Sequence, residues 1–156
     1  MPERIRRIEP QHIADLLRIA EENNLNRWSA DGYFDEIQTV SSIMLRVSSE
    51  ENVTLGFIVG RVVSAADSET EVDAEIYNIG VERKEQGRGL GQLLLDSFFR
   101  VCRENQVRSV WLEVRESNSQ ARHLYEKNGF RGITVRKDFY ADPKENAVLM
   151  RLDFEN

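Results

Sequence analysis

The sequence predicts an α/β domain in which a mixed, mostly antiparallel central sheet carries helices on both faces. Three observations lead there. First, Ala74 to Arg115 reads as strand, glycine-bearing loop, helix and strand. That is a βαβ unit, and its two strands run parallel because a parallel pair needs a crossover. Second, the strands flanking this unit have no helices long enough to force parallel crossovers everywhere, so the sheet is expected to be mixed. Third, 156 residues fit a single domain, 1–156. At that size roughly two thirds of the unfolded surface can be buried, enough for a core without staples.

The elements follow in order. Arg4 to Ile8 is a short strand ended by Pro10. Ile13, Leu16, Leu17 and Ala20 recur at helical spacing, so His12 to Asn23 reads as an amphipathic helix, and a weaker one covers Asp31 to Ile37. Ser41 to Val47 reads as a strand. So does Val53 to Val63, which is apolar and β-branched with Gly56 and Gly60 inside it. The polar run Asp67 to Asp73 is a turn, and Ala74 to Val81 a strand. After the loop Glu82 to Gly91, the residues Leu90, Leu93, Leu94, Phe98 and Val101 trace one face of a helix that fades near Asn105. Ser109 to Arg115 is a strand with Val110, Leu112 and Val114 on one face and Trp111, Glu113 and Arg115 on the other. Ser117-Asn118-Ser119-Gln120 has the Ser-x-x-Gln form of a capping box, opening a helix that carries Ala121, Leu124 and Tyr125 on one stripe. Gly129 stands where a left-handed C-terminal cap is expected, and Phe130 can fold back onto that stripe. Two more strands lie near Ile133 to Arg136 and Ala147 to Phe154.

Composition narrows the function classes. The apolar fraction of 40% and charged fraction of 31% are ordinary for a soluble globular protein. A net charge of −6 argues against nucleic acid as a general partner, because phosphate binding needs clustered Lys and Arg, but leaves room for a basic peptide. Cys102 is the single cysteine, which points to a reducing compartment. The start Met1-Pro2-Glu3-Arg4-Ile5-Arg6-Arg7 lacks the apolar stretch of a signal peptide, and no apolar run approaches the ~18 residues of a membrane span. A cytoplasmic protein without a membrane partner is therefore expected. His12 and His123 stand apart, with no metal-ligand spacing, so no metal is expected.

Gln86-Gly87-Arg88-Gly89-Leu90-Gly91 lies between a strand and a helix N-terminus. Three glycines let the backbone approach a ligand closely, and the helix end adds unpaired amides and partial positive charge, which together suit a phosphate or pyrophosphate. A plain flexible turn is the other reading of the same residues. A Walker loop is excluded, since it needs Gly-Lys-Ser/Thr where this chain has Gly91-Gln92-Leu93. A dinucleotide fingerprint fits poorly. Counted from Gly87 its last glycine falls on Gln92, and residues 82 to 86 separate Val81 from Gly87 where that fold turns at once, although Glu113 does fall about 20 residues on, at a strand.

At these residues the sequence resembles the GNAT acetyltransferase superfamily, whose pyrophosphate signature Gln/Arg-x-x-Gly-x-Gly/Ala is matched in full by Gln86 to Gly91. The likeness narrows to the RimI-type ribosomal-protein-alanine N-acetyltransferases. It is carried by Ala74-Glu75-Ile76-Tyr77-Asn78-Ile79-Gly80-Val81, Trp111-Leu112-Glu113-Val114-Arg115, Ser117-Asn118, Leu124-Tyr125-Glu126 and Gly129-Phe130. Arg136-Lys137-Asp138-Phe139-Tyr140, Glu145-Asn146-Ala147-Val148-Leu149-Met150 and Trp28-Ser29 extend it. The resemblance implies acetyl-CoA as donor, with the Ile79, Gly80 and Val81 backbone along the pantetheine arm. It implies that backbone N–H groups of Gly87, Arg88, Gly89, Leu90, Gly91 and Gln92 hold the pyrophosphate, and that Asn118 contacts the cofactor. It also implies Glu113 as base, Tyr125 as acid, and a protein N-terminus, such as that of an alanine-initiated ribosomal protein, as acceptor. Phe139 stands where the subfamily commonly has tyrosine and Asn146 where it commonly has aspartate.

The chemistry asks for such groups. An α-amine with a pKa of ~7.7–8.0 is mostly protonated near neutral pH, so attack on a thioester needs a base, and a partly desolvated glutamate would serve. The alternative for Glu113 is an ordinary ion pair, for example with Arg115. Tyr125 could protonate the departing thiolate or simply pack on its helix's apolar stripe. Cys102 reads as packing, and Arg131, Arg136 and Lys137 as a solvated face from which one could meet the cofactor's 3′-phosphate. Trp28 and Tyr140 could be core or walls of an acceptor site. A lysine or small-amine acceptor, and a non-catalytic acyl-CoA-binding module, are the competing functions.

Overall fold

In the computed structural model, which describes residues 3–25 and 28–154, seven strands and four α-helices are interspersed among the described residues. They are β1 (Arg4–Arg7), α1 (Ile13–Glu22), α2 (Ala30–Ile37), β2 (Ser42–Ser48), β3 (Thr54–Ser64), β4 (Val72–Val81), α3 (Leu90–Glu104), β5 (Val107–Arg115), α4 (Ser119–Lys127), β6 (Arg131–Ala141) and β7 (Lys144–Asp153). The strand order is β1-β2-β3-β4-β5-β7-β6. β1–β2, β2–β3, β5–β7 and β6–β7 pair antiparallel and β4–β5 parallel, the mixed and mostly antiparallel sheet that was predicted. By contacts the chain divides into two units: one holds the chain up to Val62 together with Tyr77–Asn105, the other Val63–Ile76 together with the chain from Gln106 onward.

The first unit is a sheet covered on both faces. Phe57 and Val59 of β3 and Met44 of β2 pack with Leu16 and Ile19 of α1 and Tyr33 of α2. Side chains alternate along a strand, so Ile43, Val47 and Ile58 point to the opposite face, where α3 packs on β1 and β2. The α3 stripe that is buried comprises Leu90, Leu94, Leu95, Phe98, Phe99 and Cys102. The predicted stripe is thus rotated: Leu93 and Val101 are only half-buried, and Phe99 takes an inner place. Glu36, Arg61 and Tyr77 form a tied group, with the Glu36 carboxylate held by the Arg61 guanidinium and that guanidinium 5.8 Å from the Tyr77 ring centre.

In the second unit β5 alternates as expected, with Val110, Leu112 and Val114 buried on one face and Trp111, Glu113 and Arg115 half-buried on the other. Four sequence expectations change here. Val72 and Asp73 join β4 rather than the preceding turn, because Asp73 accepts hydrogen bonds from Arg108 and from the Trp111 indole at 3.0 Å. Ser117 does not cap α4. Asn118 does, its Oδ1 accepting from the Ala121 N–H at 3.1 Å, while the Ser117 N–H donates to Glu145. β6 runs from Arg131 to Ala141, longer than expected, because two irregularities, at Gly132/Thr134 and Arg136/Tyr140, break its alternation without ending its pairing with β7. β7 begins at Lys144, ahead of the predicted Ala147. The Gly129 cap is as expected: Gly129 has φ 99°, and Phe130 returns to within 5.7 Å of the Tyr125 ring.

Gly56 of β3 sits where a side chain cannot. A Cβ there would lie 2.9 Å from the Gly80 carbonyl oxygen and 3.2 Å from Val81 Cγ2. Overpacking of this kind costs about 1–3 kcal/mol. Gly56→Ala is therefore expected to lower the unfolding free energy by that amount, read as a lower urea midpoint at an unchanged m-value, and a midpoint equal to the parent's would mean that the strands absorb the methyl freely.

Candidate active site

The glycine loop is built by the first unit from β4 outward. Where β4 ends, the Glu82 N–H donates to the Leu55 carbonyl at 2.7 Å, and the buried Glu82 carboxylate is paired with Arg18 and Lys84. After one 3-10 turn, the Gln86 amide donates to the Asn23 side chain at 2.9 Å and to the Val81 carbonyl at 3.0 Å. Asn23 itself donates to the same Val81 carbonyl at 3.0 Å, so both lone pairs of that oxygen are used. These bonds clip the loop to the end of β4 and of α1. Beyond the clip the backbone turns left-handed at Gly87 (φ 83°) and Gly89 (φ 79°), conformations that favour glycine, and Gly89 opens α3.

The start of α3 is suited to an anion. No side chain caps it, no acidic residue lies in its first turn, and its first internal hydrogen bond is Leu93 N–H to Gly89 carbonyl. The N–H groups of Leu90 and Gly91 therefore precede the first internal bond of the helix. The Arg88 side chain is drawn off to Glu3 at 2.7 Å and Glu85 at 2.5 Å, so what Arg88 offers a ligand is its backbone N–H.

The second unit carries a charged sheet face. Trp111, Glu113 and Arg115 of β5 stand opposite Arg151, Leu149 and Ala147 of β7, and Ala147 stands opposite Arg136 of β6. Cross-strand partners share a face, so Arg136 lies on the face of Glu113, two strands away and displaced by one same-face step. Its Nε reaches Glu113 Oε2 at 3.3 Å. That buried oxygen accepts no hydrogen bond, the guanidinium being in charge contact outside hydrogen-bond geometry. Burial raises the Glu113 pKa above the ordinary 4.5, Arg136 opposes the rise, and Glu75 adds to it. An ion pair at Glu113 was foreseen, but with the wrong partner. Arg115 instead donates to the Pro143 and Asp142 carbonyls and lies 4.2 Å over the Tyr140 ring.

Tyr125 is 6% exposed, and burial, reinforced by Tyr140, pushes its pKa far above 10. Tyr140 is also buried and is pushed up to about 12, first by burial and then by the Glu113 charge. Tyr140 lies against Arg115, a residue on the Glu113 face of β5. It reaches this face because β6 advances four residues, from Arg136 to Tyr140, while β7 moves two, from Ala147 to Glu145. Phe139, inside that irregularity, is an exposed ring set edge-on to Tyr140 at 5.1 Å. Asn146 accepts from the Asp138 N–H and donates to Glu116. Asn118 spends its carbonyl oxygen on the α4 cap. In the first unit Trp28 stacks against Tyr33 at 5.2 Å and Tyr77 at 5.8 Å, as part of the core rim. Sequence reasoning missed Arg136 as a partner of Glu113. The Arg-Lys-Asp-Phe-Tyr string held it, but only the strand register points it there.

Cys102 is buried, and burial pushes its thiol up to about 12, which suits packing. Among the described residues there is no group of three or more His, Cys, Asp or Glu able to hold a metal, and no helix long and apolar enough to cross a membrane.

Comparison with known proteins bears on each unit. Residues 13–130 match the acetyltransferase (GNAT) family. The [ribosomal protein bS18]-alanine N-acetyltransferase of Haemophilus influenzae is 36% identical over 149 residues, which is 94% of this chain and 95% of that one. Among solved structures, the ribosomal-protein-S18-alanine N-acetyltransferase from Escherichia coli superposes with a TM-score of 0.83 at 26% identity, covering 99% of this chain and 95% of that one. Arabidopsis thaliana NAA60 in complex with acetyl-CoA shares the fold, with a TM-score of 0.88 at 18% identity and 99% of each chain covered.

The raised Glu113 pKa has a sign that stability reads. The native state favours the neutral carboxyl, so Glu113 destabilises the fold progressively as pH rises from the unfolded value near 4.5 through its folded pKa. Glu113→Gln is accordingly expected to melt above the parent at pH 7, with the gap closing as pH falls below 4.5. A variant less stable than the parent at pH 7 would show that the Arg136 contact outweighs burial.

Proposed function

The chain belongs to the acetyltransferase (GNAT) family, and from that premise we propose that it transfers the acetyl group of acetyl-CoA to the N-terminal α-amine of a protein, by direct attack. The whole chain, 1–156, then acts as one N-acetyltransferase domain in the cytoplasm. The backbone N–H groups of Gly87 to Gln92 take the pyrophosphate, the Ile79 to Val81 backbone follows the pantetheine arm, and Asn118 contributes a further cofactor contact from the α4 cap. The observation that carries the chemistry is the buried Glu113 oxygen that accepts no hydrogen bond. It is a carboxylate held at raised pKa with a lone pair to spare, which is what a base for an ammonium needs.

The steps balance as follows. Glu113 takes a proton from the ammonium, directly or through water. The freed nitrogen attacks the thioester carbonyl carbon, and the C–N bond forms as a tetrahedral adduct. Collapse breaks the C–S bond, and the sulfur leaves with the electron pair. Tyr125 gives it a proton, the surplus proton on the adduct nitrogen returns to the phenolate through water, and Glu113 releases its own proton to solvent. A strongly raised pKa keeps Tyr125 neutral until a desolvated thiolate is beside it. An α-amine suits this base better than a lysine, since it loses its proton ~2–3 pH units more easily.

Three measurements test the proposal. Acetyl-CoA at ~100 times its dissociation constant is expected to add about 2.7 kcal/mol of stability. Gly89→Val should abolish that gain, whereas a gain with NAD and none with acetyl-CoA would overturn the cofactor. Glu113→Gln is expected to lower kcat by ~10²–10⁴ with similar acetyl-CoA affinity, and Tyr125→Phe to lose turnover comparably with the fold intact. A hexapeptide beginning with alanine is expected to be acetylated at its α-amine. Mass spectrometry finding acetate on lysine, or turnover only with small polyamines, would leave the family standing and remove the N-terminal acceptor.

A further inference from the structure

Arg136 is the one cation in ion-pair contact with Glu113 among the described residues, and its placement is unusual for a plain surface arginine. It projects from an edge strand, immediately before the irregularity that brings Tyr140 back to the same face. Its side chain is 51% exposed while that of Glu113 is 28% exposed, so one end of the pair lies in water and the other does not. Its guanidinium carbon also lies 5.8 Å from the Phe139 ring centre, which gives the cation a second resting place on the rim. The groups around Glu113 are Glu75 from β4, Arg115 on its own strand, Arg136 and Tyr140 from β6, and the apolar Leu149 opposite it on β7. Arg115 is committed to Asp142, Pro143 and Glu145, so it does not compete for Glu113.

We propose that Arg136 stands in for the acceptor's ammonium: its guanidinium holds the Glu113 carboxylate until the amine arrives, then yields the carboxylate and swings toward Phe139 and solvent. The proposal rests on the reading of Glu113 as the base. Two cations brought to one carboxylate oxygen repel each other, so the amine and the arginine compete for it. The displacement is easy because a half-exposed ion pair is worth only a fraction of the binding energy of a peptide. No covalent bond changes in this step: one cation replaces another, and the proton moves only afterwards, from ammonium to Glu113. Arg136 is thus a positioning residue that keeps the base ionised against burial and sets the cost of admission for the amine.

Arg136→Gln and Arg136→Lys test this against the parent. Two readouts are compared: the ¹³C titration of the Glu113 carboxyl without any substrate, and kcat and KM for the alanine-initiated hexapeptide across pH. Arg136→Gln is expected to move both the Glu113 midpoint and the acidic limb of kcat/KM to higher pH. At a pH above the measured Glu113 midpoint of each variant and below the α-amine pKa of ~7.7–8.0, it should lower the peptide KM by about two- to fivefold with kcat retained, the range that an exposed ion pair allows. Arg136→Lys should restore the parent limb. A midpoint and limb unmoved in Arg136→Gln, or a peptide KM that stays level or rises, overturns the proposal. Failure of the underlying function is seen separately, as a parent protein that releases no CoA with any amine even though its Glu113 carboxyl titrates as expected.

Discussion

The parallel pairing of β4 with β5 is the constraint from which the site follows. Parallel neighbours cannot be joined by a tight turn. The chain must therefore leave β4 at Val81, cross over, and re-enter β5 at Val107 in the same direction. The crossover consists of the glycine loop and α3, which puts a helix start without a side-chain cap beyond the end of β4. The same pairing sets the register of β5: Glu75 stands beside Trp111 and Ile76 beside Leu112, with Glu113 next on the Trp111 face. A helix start without a side-chain cap and a desolvated carboxylate are two consequences of one crossover.

The polar groups show how the fold manages buried charge. Most buried or half-buried carboxylates are fully engaged: Glu82 with Arg18 and Lys84, Glu36 with Arg61, Asp73 with Arg108 and Trp111, Glu145 with Arg115 and the Ser117 N–H. Glu113 differs: it has a buried oxygen that accepts no hydrogen bond and, among the described residues, one cation in ion-pair contact with it. A half-satisfied carboxylate is a stability liability, and such liabilities concentrate where a group is kept ready for chemistry. The two tyrosines follow the same logic in reverse, since burial favours the neutral phenol.

Phe139 and Asn146 mark where this chain departs from the subfamily it resembles, and both fall in the β6–β7 hairpin. Asn146 has a structural occupation: it ties the Asp138 N–H, at φ 53°, to the Glu116 side chain and so holds the hairpin's irregular stretch. Phe139 has no hydroxyl to offer, but its ring flanks both Tyr140 and the Arg136 guanidinium. The departures thus leave Glu113 and Tyr125 untouched and alter the rim beside them.

What could be read from the sequence was what short stretches of chain decide among themselves. Periodicity in Ile13 to Ala20, alternation in β5, the glycine loop before Leu90 and the Gly129 cap depend on neighbours within a few residues, and the structure reproduces all four. The Ser117 cap failed by one residue because Glu145, distant in sequence, takes the Ser117 N–H. The α3 stripe was rotated because the surface of β1 and β2, and not the helix, selects which side is inward. The ends of β6 were hidden because its irregularities are defined only against β7. Site chemistry divides along the same line. Which residue types stand at 86–91, 113 and 125 is a property of the sequence. That Arg136 and not Arg115 meets Glu113 is settled by tertiary structure alone, because the pair is made across two strands whose register is fixed by backbone hydrogen bonds and one irregular turn of β6.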